Sequence, residues 1–124
     1  MQQILLYNLN NDKGRRIGNL CRKLSIPVRT VDTHDYLQPL GSLVGLPGFS
    51  ADRPAYQGAA FSDEMMLFND FADKPLYDFL AQYREAGIDP VPLKAGITPT
   101  NAYWDSIQLF RAISEEHQMM SGKR

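Results

Sequence analysis

Two short, uninterrupted apolar runs, Ile4-Leu5-Leu6-Tyr7 and Met65-Met66-Leu67-Phe68, constrain the fold more than any other feature. Neither run is long enough for a helix, and neither alternates with polar residues, so each reads as a strand buried on both faces. Each is followed by a small polar turn, Asn8 to Asp12 in one case and Asn69-Asp70 in the other, and then by a helical pattern. Strands of this kind need helices on both sides of their sheet.

The helices can be placed from their apolar stripes. Ile17, Leu20, Cys21 and Leu24 recur at helical spacing, with Asn11 or Asp12 as the cap, Lys13, Arg15, Arg16, Arg22 and Lys23 on the other face and Pro27 as the stop. Gly14 and Gly18 weaken this helix, so tertiary packing must support it. Val28 to Val31 forms a second strand. Asp35 caps a short helix from Tyr36 to Val44, with Pro39 in its first turn. Residues 45–63 have no periodicity, and their aromatics Phe49, Tyr56 and Phe61 suggest a loop that partly packs down. Asp73 caps the next helix, in which Leu76, Phe79, Leu80 and Tyr83 form the stripe and Gly87 and Pro90 the stop. Val91, Leu93, Ala95 and Ile97 alternate with Pro92, Lys94 and Gly96, which marks an edge strand. Thr98 or Asn101 caps a last helix carrying Trp104, Ile107, Phe110 and Ile113, and residues 118–124 are expected to fray.

The order is βαβαβαβα. It predicts one α/β domain over residues 1–124, a three-layer, open, mainly parallel four-stranded sheet of strand order 2-1-3-4. The 124 residues suffice for one core, and 44% hydrophobic with 22% charged residues excludes a disordered or fibrous chain. A single cysteine favours a reducing compartment. The apolar run after Met1 is too short for a signal peptide, and no stretch suffices to span a bilayer, so a cytoplasmic location without membrane association is expected. Residues 1–30 carry six basic groups against one acid and residues 31–75 two against seven, for a net charge of −1 overall. Without a clear basic excess, nucleic-acid binding is not expected.

In a sheet of this kind ligands gather beyond the carboxyl ends of the strands, at the reversal of strand order. The candidate ligand-binding residues there are Asn8 and Asn10 after the first strand, Asn69 after the third, and Lys94, Thr98 and Asn101 on and after the fourth. Asn, Asp and Thr at such turns are also ordinary helix caps. No phosphate-loop glycine pattern accompanies Arg15 and Arg16. Cys21 lies inside a helical stripe, unlike a nucleophilic thiol, and His34 and His117 lack partners at catalytic or metal spacing. No catalytic residue, metal ligand or cofactor is therefore assigned. Lys94 either keeps an edge strand in solution by its charge or serves a ligand.

At Leu93-Lys94-Ala95, Thr98-Pro99-Thr100-Asn101 and Trp104 the sequence resembles a small bacterial family of uncharacterised domains, marked by leucine-lysine-alanine, a short gap, threonine, then asparagine and tryptophan opening a helix. The run Met65 to Phe68 and the helix from Leu76 to Glu85 are similar to that family's lead-in, so the resemblance covers about residues 63–117. It implies a bacterial origin and supports the fold, and it supplies no activity.

Two functions follow. One is a non-enzymatic binding or interaction module, with self-association through the edge strand or the loop 45–63. The alternative is a small enzyme or polar-ligand sensor using the crevice, including a degenerate receiver-like domain with Asp12 and Asp70 as its nearest acids. Convergence of Lys94, Asn101 and the asparagines on one pocket favours the second, and dispersal the first.

Overall fold

The computed structural model describes residues 1–121, with side chains described through residue 118. The chain runs β1 (Gln3–Tyr7), α1 (Asp12–Lys23), β2 (Val28–Thr30), a 3-10 turn (Thr33–Asp35), α2 (Leu40–Leu43), β3 (Met65–Asn69), α3 (Asp73–Glu85), β4 (Leu93–Ile97), a second 3-10 turn (Asn101–Tyr103) and α4 (Ser106–Ser121). The four strands form one sheet in the order β2-β1-β3-β4. This is the expected α/β architecture and strand order.

The sheet is mixed. β1 is parallel to β2 and β3 is parallel to β4, but the central pair β1–β3 is antiparallel, with Leu5 opposite Leu67 and Tyr7 opposite Met65. The chain is thus two βαβα halves laid side by side in opposite directions. Residues 31–64 join them by returning to the end of the sheet that they left, so no full crossover is needed.

The alternation of β1 and β3 divides the core in two. Ile4, Leu6, Met66 and Phe68 face α1 and α3, packing with Ile17, Leu20, Cys21, Phe79 and Tyr83. Leu5, Tyr7, Met65 and Leu67 face α2, the long loop and α4, packing with Tyr36, Leu40, Leu43 and Leu109. All five residues of β3 are buried. Fully burying side chains of this size is worth about 1.5–3 kcal/mol each, which holds a sheet of such short strands together.

Several boundaries differ from expectation for local reasons. Asn11 caps α1, its Oδ1 accepting from Gly14 N at 2.9 Å. That helix ends at Lys23, ahead of Pro27, because Ser25 turns into the left-handed region at φ 58. The helix expected from Tyr36 to Val44 shrinks to Leu40–Leu43. Gln38 precedes a proline, which disfavours helical backbone there, and Asp32 instead caps the 3-10 turn by accepting from His34 N at 2.8 Å. Helix α3 begins after Ala72, so Asp73 is its first residue rather than its cap, and Gly87 ends it at φ 71. Neither Thr98 nor Asn101 caps α4, and Trp104 lies in extended backbone before it. The cap is a reciprocal pair, in which Gln108 N donates to Asp105 Oδ1 and Asp105 N to Gln108 Oε1. Helix α4 continues to Ser121, so most of the stretch expected to fray is helical, and residues 122–124 lie outside the described residues.

The loop from Gly45 to Asp63 contains no helix or strand but is stitched to the body. The side chain of Gln38 brackets Arg53, donating to its O at 2.7 Å and accepting from its N at 3.0 Å. Phe61 stacks on Tyr36 and on Phe110. Beneath it, the hydroxyls of Tyr7 and Ser106 share a buried hydrogen bond of 2.7 Å.

Candidate functional site

The antiparallel β1–β3 pair decides where the candidate residues go. The carboxyl ends of β1 and β2 lie at one end of the sheet and those of β3 and β4 at the other. The expected crevice beyond the ends of strands 1, 3 and 4 is therefore divided between opposite ends. Asn8 and Asn10 stand at one end, and Asn69, Thr98 and Asn101 at the other. Asp12 and Asp70 are separated in the same way, Asp12 paired with Arg15 and Asp70 with the amino group of Met1 at 2.6 Å.

Most of these residues have a structural occupation. Asn8 sits in the left-handed region at φ 60, which asparagine tolerates, and its Nδ2 donates at 2.8 Å to both Phe61 O and Asp63 O. It ties the end of the long loop to the exit of β1. Asn69 is buried and donates to Met1 O at 3.3 Å. Thr98 and Asn101 close on each other: Thr98 N donates to Asn101 Oδ1 at 2.8 Å and Asn101 N to Thr98 Oγ1 at 3.0 Å. Asn101 Nδ2 then donates to Gly96 O at 2.9 Å. Asn10 stands exposed between β1 and α1.

Lys94 is different. It lies on β4 opposite Met66, on the sheet face toward α3, and lines a pocket of about 280 Å³ with Met66, Leu80, Tyr83, Arg84, Val91 and neighbours. The segment between α3 and β4 completes the wall with Ile88, Pro90 and Val91. The Lys94 Nζ turns back along the chain to donate to Val91 O at 2.6 Å. Burial, and secondarily the charge of Lys13, hold its ammonium below the usual lysine range. Tyr83 forms another wall, donating from its hydroxyl to Asp89 O at 2.6 Å, and burial pushes its phenol up to about 12.

The basic groups of the first thirty residues are largely engaged within the molecule. Lys13 pairs with Glu64 at 2.6 Å and donates to Pro90 O at 2.7 Å. Arg16 donates to Ala86 O at 2.9 Å and Gly87 O at 3.4 Å, covering the carbonyls just past the end of α3. Arg29 reaches Leu43 O and Asp35. Cys21 is buried in the core, and burial pushes its thiol up to about 11, the opposite of an activated nucleophile. Among the described residues, no three His, Cys, Asp or Glu side chains gather where they could hold a metal ion. No helix among them is long and apolar enough to cross a membrane.

Reading the sequence alone missed the walls contributed by Tyr83, Arg84, Ile88 and Pro90. The available signal was Gly87-Ile88-Asp89-Pro90-Val91-Pro92, where apolar residues sit between turn formers just before an edge strand.

Residues 64–120 match the model of a family described as a domain of unknown function (DUF3783). That stretch nearly coincides with the one resembling an uncharacterised family, and it corresponds to the second βαβα half, from Glu64 through most of α4. No curated protein and no solved structure matches the chain.

Proposed function

We propose that this chain is a non-enzymatic interaction module that associates with a second copy of itself through the open edge of β4. The observation carrying this reading is that Lys94 folds its ammonium back to Val91 O, leaving the edge strand without the charged guard that such edges ordinarily carry. The dispersal of the other candidate residues to opposite ends of the sheet supports it. A bacterial, reducing cytoplasm suits a molecule whose one cysteine is buried and unpaired.

The occupant follows from the pattern along the strand. β4 pairs only with β3 in the sheet. Two copies paired antiparallel about Ala95 set Lys94 opposite Gly96 and Leu93 opposite Ile97, so no like charges meet. Such an isologous contact closes as a dimer, with main-chain hydrogen bonds supplying affinity. The edge is short, and a groove between Pro92, Leu93, Lys94 and the α4 residues Ile113, Glu116 and His117 extends it. Stable interfaces bury about 1,200–2,000 Å², so five-residue strands joined edge to edge make a weak, concentration-dependent pair. The loop 45–63 is the less suited surface, because its aromatics Phe49, Tyr56 and Phe61 already pack against Tyr103, Tyr36 and Phe110.

The test is a charge exchange at Gly96, where an added Cβ meets nothing closer than Phe68 O at 3.9 Å. Gly96→Lys places like charges across the pair and should weaken association, whereas Gly96→Glu should strengthen it through Lys94. Light scattering and sedimentation from micromolar to millimolar concentration read the result. A monomer throughout, for both the parent chain and Gly96→Glu, overturns the proposal.

A further inference from the structure

We infer that the pocket between α3 and β4 binds a small organic monocarboxylate with an apolar body. The walls Met66, Leu80, Ile88 and Val91 are apolar, while Lys94 and Arg84 supply cations. A purely apolar guest leaves those cations unanswered, and a purely polar one wastes the walls.

The donors are available. An ammonium has three donors, and Lys94 spends one on Val91 O. The Arg84 side chain makes no hydrogen bond or ion pair among the described residues, and a guanidinium can meet a planar carboxylate with two parallel bonds. The volume of about 280 Å³ is close to the lower end for small-molecule sites and holds roughly nine water-sized groups at about 30 Å³ each.

The charge balance calls for an anionic head. Lys13 is near enough to act on Lys94, but it is paired with Glu64 at 2.6 Å and the two cancel. That leaves Lys94 and Arg84 to meet one carboxylate, Arg84 through its planar fork and Lys94 through a remaining donor.

This site uses the α3 side of β4, whereas self-association uses its outer backbone edge, so the two are separately testable. Octanoate, octanol and octyl phosphate are compared as probes by thermal shift and amide chemical-shift mapping on the full chain. Octanoate should raise the Tm, move the amides of Tyr83, Arg84, Val91 and Lys94, and shift the Lys94 side-chain titration upward. Octanol should bind about tenfold more weakly, having lost a charge-assisted contact. Lys94→Met and Arg84→Gln should each weaken octanoate similarly, and Gly96→Lys should leave it unchanged. If Lys94→Met does not fold, Arg84→Gln and the Lys94 titration decide. Equal binding of octanol, preference for octyl phosphate, or no movement of the pocket amides overturns the inference.

Discussion

Asn8 and Asn69 end neighbouring strands yet stand at opposite ends of the sheet, because Tyr7 is paired with Met65 while Asn69 is paired with Gln3. Two residues that read as lips of one crevice are a strand apart. Asn8 anchors a loop and Asn69 holds the N-terminal backbone. Their exchange for alanine should therefore register in stability and not in ligand affinity.

Asn8→Ala removes two hydrogen bonds and leaves alanine at φ 60. The expected loss is about 2–3 kcal/mol, read from urea denaturation. Limited proteolysis should cut first within residues 45–63, since their exit from the body is no longer tied.

Asn101→Ala deletes an acceptor for Thr98 N and a donor to Gly96 O. We expect a loss of about 1–3 kcal/mol. Asn101→Asp keeps the acceptor but sets a carboxylate against the Gly96 carbonyl, and should be no better at neutral pH. A thermal melt of the two variants side by side checks this.

Gly14→Ala should be among the most damaging single methyl additions, because the new Cβ would overlap the Leu9 carbonyl oxygen. Backbone must move on one side, at a cost of about 1–3 kcal/mol or more. At Gly18 nothing lies within 4 Å, so Gly18→Ala should stabilise the helix by about 0.5–1 kcal/mol. Chemical denaturation of both variants should move in opposite directions.

Alkaline pH should weaken the fold. Burial raises the Cys21 thiol from 9.0 to about 11 and the Tyr83 phenol from 10.0 to about 12, and raises Tyr7 further. The unfolded chain then releases these protons first and binds fewer of them, so stability falls as pH rises above about 9. Below the unfolded values the contribution is complete. Urea midpoints measured from neutral to alkaline pH should show the decline, and Cys21→Ala should lessen its first part. Cys21 itself should react with a thiol reagent only when denaturant is present.

The layers and strand order were legible because Ile4 to Tyr7 and Met65 to Phe68 are too short and too apolar to be anything but central strands. The direction of β3 was not. A strand buried on both faces presents the same composition whichever way it runs, and residues 31–64 are long enough for either return. The crevice expected from a parallel sheet failed with that direction. Asp105 and Gln108 did carry a readable cap, overshadowed by Thr98 and Asn101, whose polar groups fold on themselves. The pocket around Lys94 was beyond reach because α3, the segment leaving it and β4 contribute walls whose closeness no local pattern encodes.

The division into two opposed halves has a consequence for the stretch 64–120 that matches the family model. In this chain, β3 borders β1 on one side and β4 on the other, with every residue buried. A polypeptide containing only that stretch would expose the β1-facing side of its most apolar strand. It would have to borrow a neighbour, from another segment or from its twin. The first sixty residues act here as a tethered surrogate subunit, delivering in cis the companion strand that a lone half would have to recruit in trans.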